Sequence, residues 1–303
     1  MQTIQLKNIT KTFGTHVAVD DLSLTVPEGT VYGFIGPNGS GKTTTLRMIM
    51  NILYPDQGEI SVFGEPLRPS TCDRIGYMPE ERGLYKRMKV RELLRFLGGL
   101  KDGNGIAARV DQWLERLDLT EWADKKVETL SKGMSQKVQF IATVVAQPEL
   151  IILDEPFTGL DPVNTDAMKN AILELQKQGT TVIFSTHDMS MAEKMCDFIF
   201  MIFKGKKVLD GTLASIQDQY ATDTLRIRTS GGVDALRDLR GVEKINDYGQ
   251  IQELRLGHNG NPQEILQTVL GRTQVHSFDI AKPSLHDIFV RIAGAGSREV
   301  GHA

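Results

Sequence analysis

The sequence predicts an α/β protein: a core built on a parallel sheet, interrupted by a helical segment and followed by a small α+β unit. Three observations predict this. Short apolar runs alternate with stretches of helical spacing from the N-terminus to about residue 220. One run, Leu150-Ile151-Ile152-Leu153, is apolar without a break, as expected of a parallel strand buried on both faces. After Tyr220 the pattern gives way to shorter, more alternating segments.

The elements follow in order. Leu22–Val26 and Val31–Ile35 read as strands, and a glycine-rich turn then leads into a helix starting near Lys42. Gly58–Val62 and Ile75–Met78 are further short strands. Val90, Leu93, Leu94, Leu97 and Leu100 share one helical face, as do Ile106, Val110, Trp113, Leu114 and Leu117. Pro162 opens a helix with Met168, Ala171, Ile172 and Leu175 on one face, and Gly179 stops it. Thr181–Ser185 is another buried strand. Beyond residue 220 the spacing predicts a strand at Leu225–Thr229, a helix at Asp234–Arg240 and a β-pair at Val242–Tyr248 and Ile251–Leu256. A helix at Pro262–Leu270, a strand at Val275–Asp279 and a helix at Leu285–Ile292 complete it. That order, βαββαβ and a helix, suggests a ferredoxin-like appendage. The expected division is therefore 1–220, with a helical subdomain over about 81–146, and 221–303.

Composition narrows the functional classes. With 40% hydrophobic and 24% charged residues, the 303-residue chain has the makings of a globular protein with a real core. A net charge of −3 argues against a basic surface for nucleic acid. Cys72 and Cys196 are too few for a disulfide framework and lack metal-ligand spacing, so two reduced thiols are expected. The longest strong apolar runs, such as Phe198–Phe203, fall far short of the ~20 residues of a membrane helix. The opening Met1-Gln2-Thr3-Ile4-Gln5-Leu6-Lys7 lacks the pattern of a signal peptide. Action at a membrane is expected from the cytosolic side, through a partner.

Gly36-Pro37-Asn38-Gly39-Ser40-Gly41-Lys42-Thr43-Thr44 sits between a predicted strand and a predicted helix, the context that makes G-x-x-x-x-G-K-[ST] a phosphate-binding loop. Glycines let successive N–H groups turn inward toward phosphate oxygens, and the helix aims its positive end at the same place. Lys42 supplies a cation for the β- and γ-phosphates, and the Thr43 hydroxyl suits Mg²⁺. Alone, the loop says only nucleoside triphosphate. Asp154 and Glu155 end the apolar strand: Asp154 is placed to hold Mg²⁺ through water, and Glu155 is a candidate base for an attacking water.

Further motifs stand in a fixed order around these. Leu130-Ser131-Lys132-Gly133-Met134-Ser135-Gln136 precedes a helix with Val138, Ile141, Ala142 and Val145 on its apolar face. Ser131, Gly133 and the helix N-terminus suit a second anion site. Thr158-Gly159-Leu160-Asp161-Pro162 follows the acidic strand, and Ser185-Thr186-His187 ends the next one. Phe13 lies in Lys11-Thr12-Phe13-Gly14.

In this order, over residues 11 to 187, the motifs resemble those of ATP-binding subunits of ABC (ATP-binding cassette) transporters. The resemblance implies a P-loop cassette that binds and hydrolyses ATP with Mg²⁺. It makes Ser131 and Gly133 part of the family signature, usually Leu-Ser-Gly-Gly-Gln; here Lys132 replaces a glycine and Met134 the glutamine. It makes Asp161 part of the loop that aligns two subunits, His187 the contact to the γ-phosphate, and Phe13 the ring stacked on adenine, with a core phenylalanine as the rival. The family usually has glutamine where this chain has Glu80, so Glu80 is either a metal ligand or a solvated acid. Each phosphate site is half a pocket, which implies a dimer of two cassettes, expected to be identical, beside a separate integral membrane permease and without nucleic acid.

Met78-Pro79-Glu80-Glu81-Arg82-Gly83-Leu84-Tyr85 and Pro283-Ser284-Leu285-His286-Asp287-Ile288-Phe289-Val290 are similar to a prokaryotic exporter branch of sodium-extrusion and drug-export ATPases. Leu84, Tyr85 and Met88 suit either a surface for the permease or a helix-capping turn. The alternative function is a soluble ABC ATPase. Against it, the stretch from Thr43 to Leu130 leaves no room for coiled-coil arms and only one cassette is present.

Overall fold

The computed structural model describes residues 2–81, 83–101, 105–220, 224–257 and 259–298. They form two compact units, Met1–Thr212 and Leu213–Ala303.

The first unit runs β1 (Gln2–Phe13), β2 (His16–Pro27), β3 (Val31–Ile35), α1 (Lys42–Ile49), β4 (Gln57–Val62), β5 (Glu65–Pro66) and β6 (Ile75–Met78). It continues with α2 (Val90–Gly99), α3 (Ile106–Arg116), α4 (Lys132–Val144), β7 (Leu150–Asp154), α5 (Pro162–Lys177), β8 (Thr181–Thr186), α6 (Met189–Met195), β9 (Phe198–Phe203) and β10 (Lys206–Thr212). The central sheet has the order β10-β9-β3-β8-β7-β6. Its strands from β9 to β6 are parallel, and β10 joins β9 as an antiparallel edge. A second sheet, β2-β1-β4-β5, is antiparallel throughout.

Strand alternation explains the layering, because successive side chains point to opposite faces. Ile151 and Leu153 of β7 and Val182 and Phe184 of β8 enter one core with Leu93, Val110, Ile141 and Met168 of the helical layer. Their neighbours Leu150, Ile152 and Ile183 enter the other core with Leu46 and Ile49 of α1 and with Ile4, Leu6, Leu22 and Leu24 of the antiparallel sheet. The uninterrupted apolar run of β7 is thus a strand covered on both sides. The sheet pairing also levels its carboxyl ends: Ile35 lies opposite Thr186, Asp154 opposite Ser185, and Met78 opposite Leu153.

The second unit holds α7 (Leu213–Tyr220), β11 (Thr224–Thr229), β12 (Val242–Asp247), β13 (Gln252–Leu256), α8 (Pro262–Leu270), β14 (Val275–Ile280) and α9 (Leu285–Arg298). Its sheet is antiparallel in the order β12-β13-β11-β14. Leu225, Ile227, Leu254 and Leu256 from the sheet and Ile265 and Val269 from α8 make its core.

Three expectations need correction. The boundary falls at Thr212 rather than Tyr220 because α7 belongs to the second unit. There Ile216 is buried, Gln217 donates to the Pro283 carbonyl at 3.1 Å, and Lys282 pairs with Asp218 at 2.7 Å. The expected helix at Asp234–Arg240 is a 3₁₀ turn over Gly232–Leu236. Leu236 and Leu239 both reach the core, but Arg237 is extended and Asp238 has φ 56°, which no α-helix tolerates. The final helix runs on to Arg298, past the expected end at Ile292. Among the described residues, no helix is long and apolar enough to cross a membrane.

Candidate functional site

The glycine-rich loop leaves the carboxyl end of β3, and the Gly36 N–H donates to the Thr186 carbonyl at 3.3 Å. Gly36 has φ 155°, and a Cβ there would lie 2.2 Å from the Ile202 carbonyl oxygen. Gly41 has φ 108°, with the Ala18 carbonyl oxygen 2.4 Å from the corresponding point. Backbone conformation and space both require glycine at these positions. Gly41 caps α1 without a side-chain hydrogen bond, so the first-turn N–H groups form an anion cradle at the positive end of the helix.

Lys42 folds back over this loop, 6% exposed, its Nζ donating to the carbonyls of Gly36 at 2.8 Å and Pro37 at 3.2 Å. The same ammonium is 3.7 Å from Glu155 Oε1. Burial pushes its pKa below the usual lysine value, against the opposing pull of Glu155, Asp154 and Glu80. The cation is held in a dry place beside three carboxylates, poised for a ligand with more negative charge.

Asp154 is fully buried at the end of β7; Ser185 Oγ donates to its Oδ1, and its Oδ2 has no partner among the described residues. Glu155 follows in the left-handed region at φ 51°. For a non-glycine residue this costs on the order of 1–3 kcal/mol. Two contacts hold it there, as its N–H meets the Ser185 carbonyl at 3.2 Å and the Ser185 Oγ at 3.1 Å. The backbone reversal turns the Glu155 carboxylate away from that of Asp154 and onto His187, whose Nδ1 lies 3.1 and 3.0 Å from its two oxygens. Thr158 Oγ1 donates to Glu155 Oε2 at 3.4 Å.

Phe13, His16, Asn38, Gly39, Gly41, Lys42, Thr43, Thr44, Glu80 and Glu155 line a cleft of about 470 Å³. Phe13 is 47% exposed there rather than packed in a core, with Lys11 Nζ 5.7 Å from its ring centre. Glu80 also faces this cleft, beyond the carboxyl end of β6.

The signature and the aligning loop lie outside the cleft lining. Ser131 caps α4, its Oγ accepting from the Met134 N–H at 3.2 Å. Gly133 faces Leu160, and the Lys132 stem lies over Gly159, where a Cβ would come within 2.7 Å of Lys132 Cε. Asp161 caps α5, accepting from the Asn164 N–H at 2.9 Å. The structure therefore joins the phosphate loop, Glu80, Glu155, His187 and Phe13, and keeps Ser131, Gly133 and Asp161 as a second group.

Sequence reasoning missed four residues: Ser185, which holds Asp154 and the Glu155 backbone; His16 in the cleft wall; and Gln136 and Gln139 of α4. The last pair left a signal. They are polar side chains one turn apart amid the apolar face of α4, and each is at most 5% exposed.

The unpartnered Asp154 Oδ2, the buried Ser40 Oγ that also has no partner among the described residues, and the glycine cradle at Gly36 and Gly41 all fit a nucleoside triphosphate with a divalent cation. The fold and site define a P-loop ATP-binding cassette. A family model described as "ABC transporter" matches residues 19–158, and one described as "ATP-binding protein DrrA1-3-like, C-terminal domain" matches residues 211–293. The chain is 40% identical to the ABC transporter ATP-binding protein YhaQ of Bacillus subtilis (strain 168), over 96% of this chain and 99% of the relative. It is 31% identical to the linearmycin resistance ATP-binding protein LnrL of the same organism, over 98% of this chain and 100% of the relative. To the Nod factor export ATP-binding protein I of Burkholderia lata it is 33% identical, over 96% and 97%. A solved ATP-binding subunit of an ABC transporter superposes with a TM-score of 0.68 at 30% identity, over 72% of this chain and 93% of that one. The chain belongs to the ATP-binding proteins of ABC transporters.

Proposed function

We propose that this chain hydrolyses ATP as the energy-coupling subunit of an exporter, working as a homodimer on the cytoplasmic face of a membrane beneath a separate permease. The observation that carries the reading is Glu155. A carboxylate in a strained backbone conformation, buried beside the phosphate-loop lysine and backed by His187, is poised as a general base.

The residues divide the work. Lys42 and the N–H groups at the start of α1 bind the triphosphate, and Phe13 offers its exposed face to the adenine. Thr43, Asp154 and Glu80 would hold Mg²⁺, which supplies charge neutralisation at the β- and γ-phosphates when bound. Glu155 accepts the proton of the attacking water, and His187 orients Glu155 while steadying the γ-phosphate. Ser131, Gly133 and Asp161 complete the cleft of the partner copy, which is why they lie outside the cleft of their own chain.

The permease reading draws on relatives named for drug resistance and Nod factor export. On the surface it is supported by Tyr85, 57% exposed and edge-on to the exposed ring of Phe96 at 6.3 Å. Leu84 and Met88 pack partly against the helical core and support that patch from beneath.

The test is a purified chain assayed for Mg²⁺-dependent ATP hydrolysis while its mass is followed by light scattering. Turnover tied to a nucleotide-dependent dimer is expected. Full turnover by a chain that stays monomeric overturns the reading.

A further inference from the structure

We infer that Gln139 is a positioning residue that sets the Glu80 carboxylate in the cleft and ties it mechanically to the signature helix. The inference rests on the proposed role of Glu80 as a metal ligand. Gln139 lies on α4, 5% exposed, and its Nε2 donates to the Pro79 carbonyl at 2.8 Å and to the Glu81 carbonyl at 3.3 Å. Those two carbonyls bracket Glu80. One amide thus holds the backbone on both sides of the residue that faces the cleft.

The amide orientation is forced. Both neighbours are acceptors, so only the NH₂ end fits against them. Its other end, Oε1, is buried and has no partner among the described residues. A buried amide oxygen left unpaired is costly, and such exceptions call for an explanation. Here the explanation is that the donor pair to the Glu80 loop outweighs the orphaned acceptor.

A second link on the same helix face makes the arrangement a clamp. Gln136, one turn earlier and 3% exposed, donates from Nε2 to the Pro156 carbonyl at 3.0 Å, directly after Glu155. The helix that begins at Ser131 therefore grips both cleft carboxylates by the backbone beside them: Glu155 through Gln136, and Glu80 through Gln139. A displacement of α4, as when a partner's nucleotide meets Ser131, moves the Pro79–Glu81 segment with it. Without Gln139, α4 still packs on β6 but no longer holds the two carbonyls that flank Glu80.

The experiment compares the full-length chain with Gln139→Met, Glu80→Ala and the double variant. Gln139→Met keeps the volume and removes the donors; Gln139→Glu replaces it if thermal unfolding without nucleotide shows that the methionine variant does not fold. Two quantities are read: Mn²⁺ affinity by paramagnetic resonance in the presence of a non-hydrolysable ATP analogue, and affinity for the same analogue in excess chelator. Gln139→Met is expected to weaken Mn²⁺ binding about tenfold, a loss of about 1.4 kcal/mol. Metal-free nucleotide affinity is expected to stay within about twofold (~0.4 kcal/mol). In the double variant the Mn²⁺ loss equals that of Glu80→Ala alone, because both changes remove one interaction. Unchanged Mn²⁺ affinity in folded Gln139→Met, with a loss in Glu80→Ala, overturns this inference and leaves the role of Glu80 standing. Additive losses overturn it too. Unchanged Mn²⁺ affinity in Glu80→Ala overturns the role of Glu80 itself, and this inference with it.

Discussion

The Nδ1 of His187 lies 3.0 and 3.1 Å from the two oxygens of Glu155, so the residues just after β8 and β7 form one acid–imidazole pair whose carboxylate lines the cleft. The pair is unequal in its surroundings. The Glu155 side chain is 7% exposed and that of His187 is 55% exposed. The carboxylate sits in the dry position of a base, and the imidazole beside it is open to solvent. Glu155→Gln keeps shape and volume while removing the base, so ATP turnover should fall by the ~10²–10⁴-fold typical of general-base loss. Nucleotide binding should persist and trap an ATP-bound dimer, visible by light scattering. Single-turnover hydrolysis at near-normal rate would refute the assignment.

Lys42 gives a pH prediction. Burial, the largest cause, lowers its pKa in the folded chain below the unfolded value of about 10.4. The folded chain then releases this proton at lower pH than the unfolded chain does. Its contribution to stability is complete above the unfolded pKa and is lost as pH falls through the folded one. Nucleotide affinity runs the other way because it uses the ammonium, and it should decline as pH rises through the folded-state pKa. Calorimetric titration between about pH 7 and pH 10 checks this, with Lys42→Ala as the control. That variant should bind at least about tenfold more weakly (~1.4 kcal/mol) and show no such pH dependence. Equal slopes in the two proteins would remove Lys42 from the explanation.

The cleft was legible because its residue types sit at sheet ends in a fixed order. Apolar runs such as Leu150–Leu153 located the strands, and Gly36 and Gly41 announced backbone that only glycine adopts. In the antiparallel layer the strands expected at Leu22–Val26 and Gly58–Val62 fall within β2 and β4, but β1 was hidden. In β1, register irregularities between Leu6 and Ile9 and between Ile9 and Lys11 break the period of two, so its buried Ile4, Leu6 and Ile9 do not alternate cleanly. Distance along the chain hid the rest. Ser185 reaches Asp154, and Gln139 reaches Pro79, only after the sheet and the helical layer have folded. The helix expected at Asp234–Arg240 failed for a local reason, because Leu236 and Leu239 imitate helical spacing around a left-handed Asp238.

The two units carry separate cores, which gives a prediction about cooperativity. Leu254 is fully buried in the core of the second unit, with Leu225, Ile227 and Val269. Leu254→Ala should destabilise that unit by the ~2–5 kcal/mol usual for a large-to-small core change. The cleft residues all lie in the first unit, so ATP affinity should stay unchanged while an early unfolding transition appears by calorimetry. A single transition with weakened ATP binding would show that the chain folds as one cooperative block.

Gly33 and Cys196 supply a test of the sheet just behind the phosphate loop. Gly33 is in β3, and a Cβ added there would lie 2.4 Å from Cys196 Sγ but 3.5 Å from Cys196 Cβ and 3.7 Å from the Phe198 carbonyl oxygen. The obstacle is a single sulfur atom, held in place by packing; its thiol pKa is raised by burial. Gly33→Ala alone should therefore cost ~1–3 kcal/mol by overpacking. Cys196→Ala alone should be destabilising as well, because it removes a partly buried atom next to a glycine that cannot fill the gap. Together the new methyl occupies the space the sulfur left, and the double variant should be more stable than the sum of the single losses by ~0.5–3 kcal/mol. Urea unfolding of the four proteins closes the cycle. Losses that simply add would mean that the sulfur is not what excludes a side chain at Gly33, and that the strand leading to the phosphate loop is confined by its backbone neighbours instead.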